Sequence, residues 1–334
     1  MLATGRSLMF SSKLTPRAIC AAVVLAAALA PRSSYAQLKG HYIPGFTGLD
    51  DGTQPPPSIS VAFPVYAYPT DTIKNASGET IGSGPSITAN FIGVGLVIVT
   101  PVKLLGANYG AQIIPLAYMK SRIEGNSLSV AGSFGFSDVY VQPVWLGWET
   151  PRADFSAGWG FFAPTGKWNS GATDNAGLGM WSHDLQAGTT IRLDKKREWS
   201  TSGLATLELH SAKKNSDLQV GNILTLEGGT GRAFYTPVSG SPIPRIVTVG
   251  AVYYGQFKVS ADSGAGPLLD PRLADGKDHV FGVGGEANVF LPKAKLLLDA
   301  RVVAEFGAHT RTQGLTLMFS AAYQLTSLVK PPHA

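Results

Sequence analysis

Cysteine is all but missing from this sequence: Cys20 is the only one in 334 residues. It lies inside a 13-residue apolar run, 18–30. Arg6, Lys13 and Arg17 precede the run, and Ser34-Tyr35-Ala36 follows it as a small-x-small site before Gln37. A charged start, a short apolar core and a small-residue site describe a cleaved secretory signal peptide over 1–36. The run is too short for a spanning helix, which needs ~20 apolar residues. No lipoprotein box precedes Cys20, so the exported chain is expected to hold no disulfide and no thiolate chemistry.

Charge is also scarce. Charged residues make up 15% of the chain, against a usual ~25%. The net charge of +5 comes largely from the signal, which holds four basic residues (Arg6, Lys13, Arg17, Arg32) and no acidic one. Without it, 23 basic residues face 22 acidic ones, and nucleic-acid binding loses its main support. Long hydrophobic runs are absent too. The longest after the signal, 91–99, contains two glycines and stops at Thr100-Pro101, which excludes spanning helices.

Chemistry-bearing clusters are equally hard to find. His41, His183, His210, His279, His309 and His333 show no i, i+4 pair, and no carboxylate completes a metal site. No cofactor is implied. Ser182-His183-Asp184 is contiguous, but strand neighbours point to opposite faces and cannot form a triad among themselves. Gly228-Gly229-Thr230-Gly231 and Gly282-Val283-Gly284-Gly285 follow no strand-then-helix pattern; strand bends explain them better than phosphate cradles.

What the chain does have is glycine, about 12% against a usual ~7%, and alternation. In 313–325, Leu315, Leu317, Phe319, Ala321, Tyr323 and Leu325 share one face, with Gly314, Thr316, Met318, Ser320, Ala322 and Gln324 on the other. Such a ribbon has one greasy and one mild side. It is long enough to cross a hydrocarbon layer as a tilted strand, which takes roughly 9–11 residues. Eleven more runs precede it: 57–68, 86–100, 108–120, 137–149, 153–163, 181–193, 198–210, 219–230, 246–258, 278–290 and 295–306. In 181–193, Leu185, Ala187, Thr189, Ile191 and Leu193 oppose Asp184, Gln186, Gly188, Thr190 and Arg192. Apolar outside and polar inside suits a barrel with lipid around it and water within. The run 86–100 is apolar on both faces and is expected to pack against a plug.

The gaps form a second pattern. Those at 69–85, 121–136, 164–180 and 259–277 are long, and those at 150–152, 194–197 and 291–294 are short. Outer-membrane barrels combine long external loops with short periplasmic turns. Two gaps break the rhythm, a long inner one at 231–245 and a short outer one at 307–312. The six tryptophans, Trp145 to Trp199, lie in the middle third of the chain and mostly near strand ends, as at a membrane boundary. The expected fold is all-β: a closed antiparallel transmembrane barrel of outer-membrane type, about 12 strands with 14 as the alternative. It occupies 57–325, behind an irregular leader or partial plug at 37–56 and before a tail at 326–334.

His41-Tyr42-Ile43-Pro44-Gly45, with Gly48, Gly52 and Pro55-Pro56-Pro57, resembles the opening signature of the outer-membrane family linked to the meta-pathway of phenol degradation, a set of transporters, and the resemblance runs on from His41. Thr100-Pro101 is similar to its threonine-proline turn, Asp138 to Trp148 to its Asp…Pro…Leu-Gly-Trp strand, and Pro164-Thr165-Gly166-Lys167-Trp168 to its Pro-Thr-Gly-x-Tyr element. Glu305-Phe306 sits where the family carries a Glu-Phe pair. The family's Asn-rich stretch is reduced here to Lys213-Lys214-Asn215, and the chain does not end on the aromatic residue common in such barrels. The resemblance implies a barrel admitting hydrophobic or aromatic compounds.

The expected activity is therefore a passive, porin-like route through the bacterial outer membrane for small hydrophobic or aromatic molecules, with no catalytic residue. The implied partners are outer-membrane lipids, such solutes and the barrel-assembly machinery, with no nucleic acid; the lipid-facing surface carries no polar interface that would define an oligomer. Glu198, Glu208, His210, Glu286, Asp299, Arg301 and Glu305 are expected to face the lumen, either selecting solutes or filling the interior with salt bridges. A structural or adhesive barrel, a lipid-acting barrel enzyme and a soluble periplasmic β-protein are the alternatives.

Overall fold

In the computed structural model, the described residues are 39–81, 86–118, 121–125, 128–132, 134–170, 172, 175–264 and 277–329. The signal segment, the last residues of the tail and the centre of the loop 259–277 lie outside them.

Twelve strands form the barrel. They are β1 (Ser58–Thr70), β2 (86–104, in two halves around Val94), β3 (107–118, in two halves around Pro115), β4 (Val139–Glu149), β5 (Ala153–Ala163) and β6 (Ser182–Arg192). Then come β7 (Trp199–His210), β8 (Ile223–Thr236), β9 (Arg245–Lys258), β10 (His279–Leu291), β11 (Leu296–His309) and β12 (Leu315–Ser327). Each pairs antiparallel with its neighbours in sequence. The sheet closes where β1 pairs with β12, from Ser58↔Ser327 to Ala67↔Leu317. Closure is what the alternating sequence needs, since an open edge in hydrocarbon would leave backbone N–H and C=O groups without partners.

The alternation sets which side is wet. In β7 the buried residues are Ser200, Ser202, Leu204, Thr206, Glu208 and His210, every second position. In β11 Asp299, Arg301, Val303 and Glu305 are buried while Val302 and Phe306 are half exposed on the outside. Leu185, Tyr253, Val283 and Phe319 join them in an apolar outer belt, of a size that a water-soluble monomer does not expose. Trp159 and Trp181 lie on that surface toward the end with long loops, Trp199 toward the other.

One sequence boundary is corrected. β8 runs from Ile223 to Thr236, not from 219 to 230, so only 237–244 remains before β9. The long inner gap disappears, and all five inner connections are short. Glycines 228, 229 and 231 suggested a bend, yet they lie within the regular ladder of β8 with β7 and β9. A Cβ on Gly229, Gly231 or Gly250 would come within 2.8–2.9 Å of Leu49 Cδ2. The glycines form a smooth patch of inner wall that receives Leu49.

Two strands, β2 and β3, are interrupted where β1 carries Pro64. Proline has no N–H to give a ladder. β1 pairs with one half of β2 up to Ala62↔Gly95 and with the other from Val65↔Ile92, leaving Pro64 between. Val94 separates the halves of β2 and donates to the carbonyl of Pro115, which separates those of β3. A register shift follows in β4 around Pro143.

Candidate functional site: a leader held in the barrel lumen

The leader 39–57 runs through the barrel from its outer to its inner end. At the outer end Lys39 Nζ donates to Thr312 Oγ1 at 3.0 Å. His41 is enclosed by polar groups from two strands and the loop before β4. Its backbone N–H donates to Glu208 Oε1 at 2.5 Å, Nδ1 lies 2.6 Å from Ser182 Oγ, and Nε2 lies 2.8 Å from Asp138 Oδ2. Its ring stacks on Phe162 with centroids 4.7 Å apart.

Deeper in, a single carboxylate collects the next turn of chain. Glu227 accepts from the Tyr42 and Thr47 hydroxyls and from the Gly45 N–H at 2.7 Å. Gly45 has φ +76°, which side chains other than glycine's rarely tolerate. Arg301 answers from the opposite wall: Nη1 donates to the carbonyls of Gly45, Phe46 and Thr47 at 2.6, 2.8 and 2.9 Å. Its Nε donates to Glu286 at 2.8 Å, and Nη2 lies 3.5 Å from Asp299. Glu286 also accepts from the Leu49 N–H at 3.0 Å. A Cβ on Gly48 would fall 2.0 Å from Glu286 Oε2, so only glycine passes between Glu286 and Arg301.

Toward the inner end Arg192 bridges Asp50 of the leader (2.7 Å) and Asp154 of the wall (2.9 Å), and Thr53 donates to the same Asp154 at 2.8 Å. Gln54 Nε2 reaches the Trp145 carbonyl at 2.9 Å. Apolar contacts complete the seat. Ile43 and Phe46 pack with Phe91 of β2 against Tyr66, Tyr68 and Met318. Leu49 packs with Val252, Tyr254 and Val303. Buried backbone polar groups need partners, and here the wall supplies them to a segment whose prolines and glycines prevent it from pairing with itself.

Of the residues singled out from sequence, Glu208, Glu286 and Arg301 touch the leader. His210 lies 3.2 Å from Glu208. Asp299 pairs with Arg301, and Glu305 accepts from Tyr68, Tyr254 and the Gly314 N–H, all on the wall. Glu198 is placed differently. It precedes β7, in an inner turn, and pairs with Arg232 at 2.9 Å; alternation holds only within the strand, and the turn redirects it. Asp138, Ser182, Glu227, Asp154 and Arg192 were not among the residues expected to line the lumen. Arg192 lies on the polar face of the alternation in 181–193, and Glu227 follows the same rule in β8, where it is buried in alternation with Thr225 and Ile223.

Ser182, His41 and Asp138 are linked in the order of a catalytic triad, drawn from leader, strand and loop. Yet Ser182 has no exposed surface, and a nucleophile must reach its substrate. The linkage therefore reads as a fastening.

Burial pushes the Asp138 carboxyl up, but hydrogen bonds from His41, Leu178 and Gly166 outweigh it and hold the group below the ordinary carboxylate value. A carboxyl depressed on folding stabilises the fold above its unfolded value of about 3.9, and that stabilisation is lost as pH falls through the lower folded value. Acidification below about pH 4 is thus expected to free the outer end of the leader. Hydrogen exchange at the His41 and Tyr42 amides, corrected for intrinsic rate, measures this. Asp138→Asn should lower their protection about tenfold or more at neutral pH; unchanged protection would remove Asp138 from the fastening.

Fold and site together define an outer-membrane-type β-barrel whose lumen holds its own amino-terminal leader. The family described as "Putative MetA-pathway of phenol degradation" matches residues 70–321, and the chain belongs to that family. Among solved structures, the chain is similar to the COG4313 outer membrane channel from Pseudomonas putida F1. The identity is 14%, over 86% of this chain and 99% of that one, with a TM-score of 0.68. It is also similar to the beta domain of the Bordetella autotransporter BrkA, at 11% identity over 80% of this chain and 100% of that one, with a TM-score of 0.51. At these identities the likeness is one of fold. No curated protein matches the chain.

Proposed function

We propose that this protein is exported by a signal peptide cleaved after Ala36, resides in the outer membrane, and is a passive channel for small hydrophobic molecules, aromatic ones included. It performs no catalysis. The observation that carries the reading is a contrast between lumen and wall. The lumen is polar and occupied by a firmly bonded leader, which disfavours a wide aqueous pore. The lipid-facing wall, by contrast, has an apolar groove of about 260 Å³ lined by Val61, Val94, Gly95, Leu96, Ile113 and Pro115. That groove lies where the ladder is interrupted at Pro64, Val94 and Pro115. A greasy solute dissolved in the bilayer meets the barrel at its weakest-bonded wall. The description of the family, which ties it to phenol degradation, supports an aromatic solute.

Repairing the ladder tests this. Pro64→Val and Pro115→Val restore N–H donors in a strand setting, so each should raise stability or leave it unchanged. The double variant is expected to lower uptake of a labelled alkylbenzene in cells at least several-fold while the barrel remains folded and inserted. Uptake equal to wild type in such cells, or equal in cells without the gene, counts against the reading.

A further inference from the structure

The inner rim of the barrel carries cations at every turn. Lys103 flanks the β2–β3 turn, Arg152 sits in the β4–β5 turn, Lys195 and Lys196 in the β6–β7 turn, and Lys293 and Lys295 in the β10–β11 turn; Arg245 follows the β8–β9 turn. All seven are exposed, and among the described residues none has a carboxylate partner. The few anions at this end are engaged elsewhere. Glu149 lies 3.7 Å from Arg197, Glu198 pairs with Arg232, and Asp194 accepts the N–H groups of Trp199 and Lys196. The outer loops differ, mixing signs as in Asp71, Lys74 and Glu79, or Lys213, Lys214 and Asp217.

The cations adjoin the lipid-facing belt. Arg232 stands 5.7 Å from the Trp199 ring centroid and 5.0 Å from that of Phe234, both exposed on the outer surface, and the neighbouring exposed Tyr235 donates to the Arg197 carbonyl. Aromatic rings with cations beside them mark the height where tails give way to headgroups. The charge is spread around the whole circumference, through flexible lysines and without a carved pocket. A compact protein partner would meet only one arc of such a ring, whereas a lipid annulus meets all of it.

We propose that this rim binds the anionic headgroups of phospholipids in the leaflet at the barrel's inner end, selecting phosphatidylglycerol-like lipids over zwitterionic ones. The proposal rests on the membrane-embedded reading and holds whether or not any solute crosses the barrel. Reconstitution of the folded protein in phosphatidylcholine vesicles, with trace spin-labelled phosphatidylglycerol or phosphatidylcholine, tests it. The annular association constant should favour phosphatidylglycerol by about fivefold at low salt, as expected for one added cation contact. The preference should fall toward one at about 0.5 M salt. Lys195→Gln/Lys196→Gln/Lys293→Gln/Lys295→Gln should cut it by more than half, and Lys293→Gln/Lys295→Gln alone by a smaller step. Lys277→Gln, an exposed cation at the outer end, should leave it unchanged. Heat-dependent gel mobility verifies folding of each variant. Equal association of both lipids at low salt, or a preference untouched by the inner-rim substitutions, overturns the proposal. Solute uptake that is the same with and without the gene, with lipid preference intact, would instead count against the channel reading alone.

Discussion

Arg301→Ala is expected to unseat the leader and to destabilise the folded barrel by about 3–5 kcal/mol, the cost of removing one partner from a buried ion pair. One guanidinium satisfies three consecutive leader carbonyls while neutralising Glu286 and standing beside Asp299. Its loss leaves two buried carboxylates facing each other and three carbonyls without a donor. The leader should then leave its seat, because water can satisfy those groups only if the segment moves. Two measurements follow: a lower midpoint of denaturation in detergent, and openings in planar bilayers more frequent than those of wild type. Arg301→Lys keeps the charge but cannot reproduce the fork of donors, so an intermediate effect is expected. A stable, closed Arg301→Ala barrel would show that the leader is held by something else.

Gly229→Val/Gly231→Val is expected to destabilise the protein by about 1–3 kcal/mol, because the added side chains overlap Leu49. The sign is what makes this informative. Valine suits a strand better than glycine does, so the cost should shrink once Leu49→Ala empties the seat, leaving only the tight approach of each added Cβ to the neighbouring carbonyls of Ala251 and Val249. A double-mutant cycle measures that coupling. Additive effects would mean that Leu49 does not rest on the glycine patch.

Much of the barrel was legible before any coordinates because alternation is a local property. Leu185 to Leu193 and Leu296 to Phe306 each announce an oily and a polar face within a dozen residues, and gap lengths supply the up-and-down order. The failure at β8 has a physical origin. Glycines at 228, 229 and 231 look like a bend when read alone, and their reason, Leu49, lies nearly two hundred residues earlier in the chain. Glu198 failed for a different reason, since a period of two stops meaning anything one residue beyond the strand.

The sequence by itself determined that the chain forms about a dozen strand ribbons with a polar inner face, because side-chain direction along a strand follows from neighbours two residues away. Only the tertiary structure decided how that interior is used. His41 meets Asp138, Ser182 and Glu208 across separations of 97, 141 and 167 residues, and Arg301 meets Gly45 across 256. No local pattern encodes such contacts: closing the sheet into a ring sets which walls the leader can reach, and the cost of burying unpaired polar groups then selects where it comes to rest.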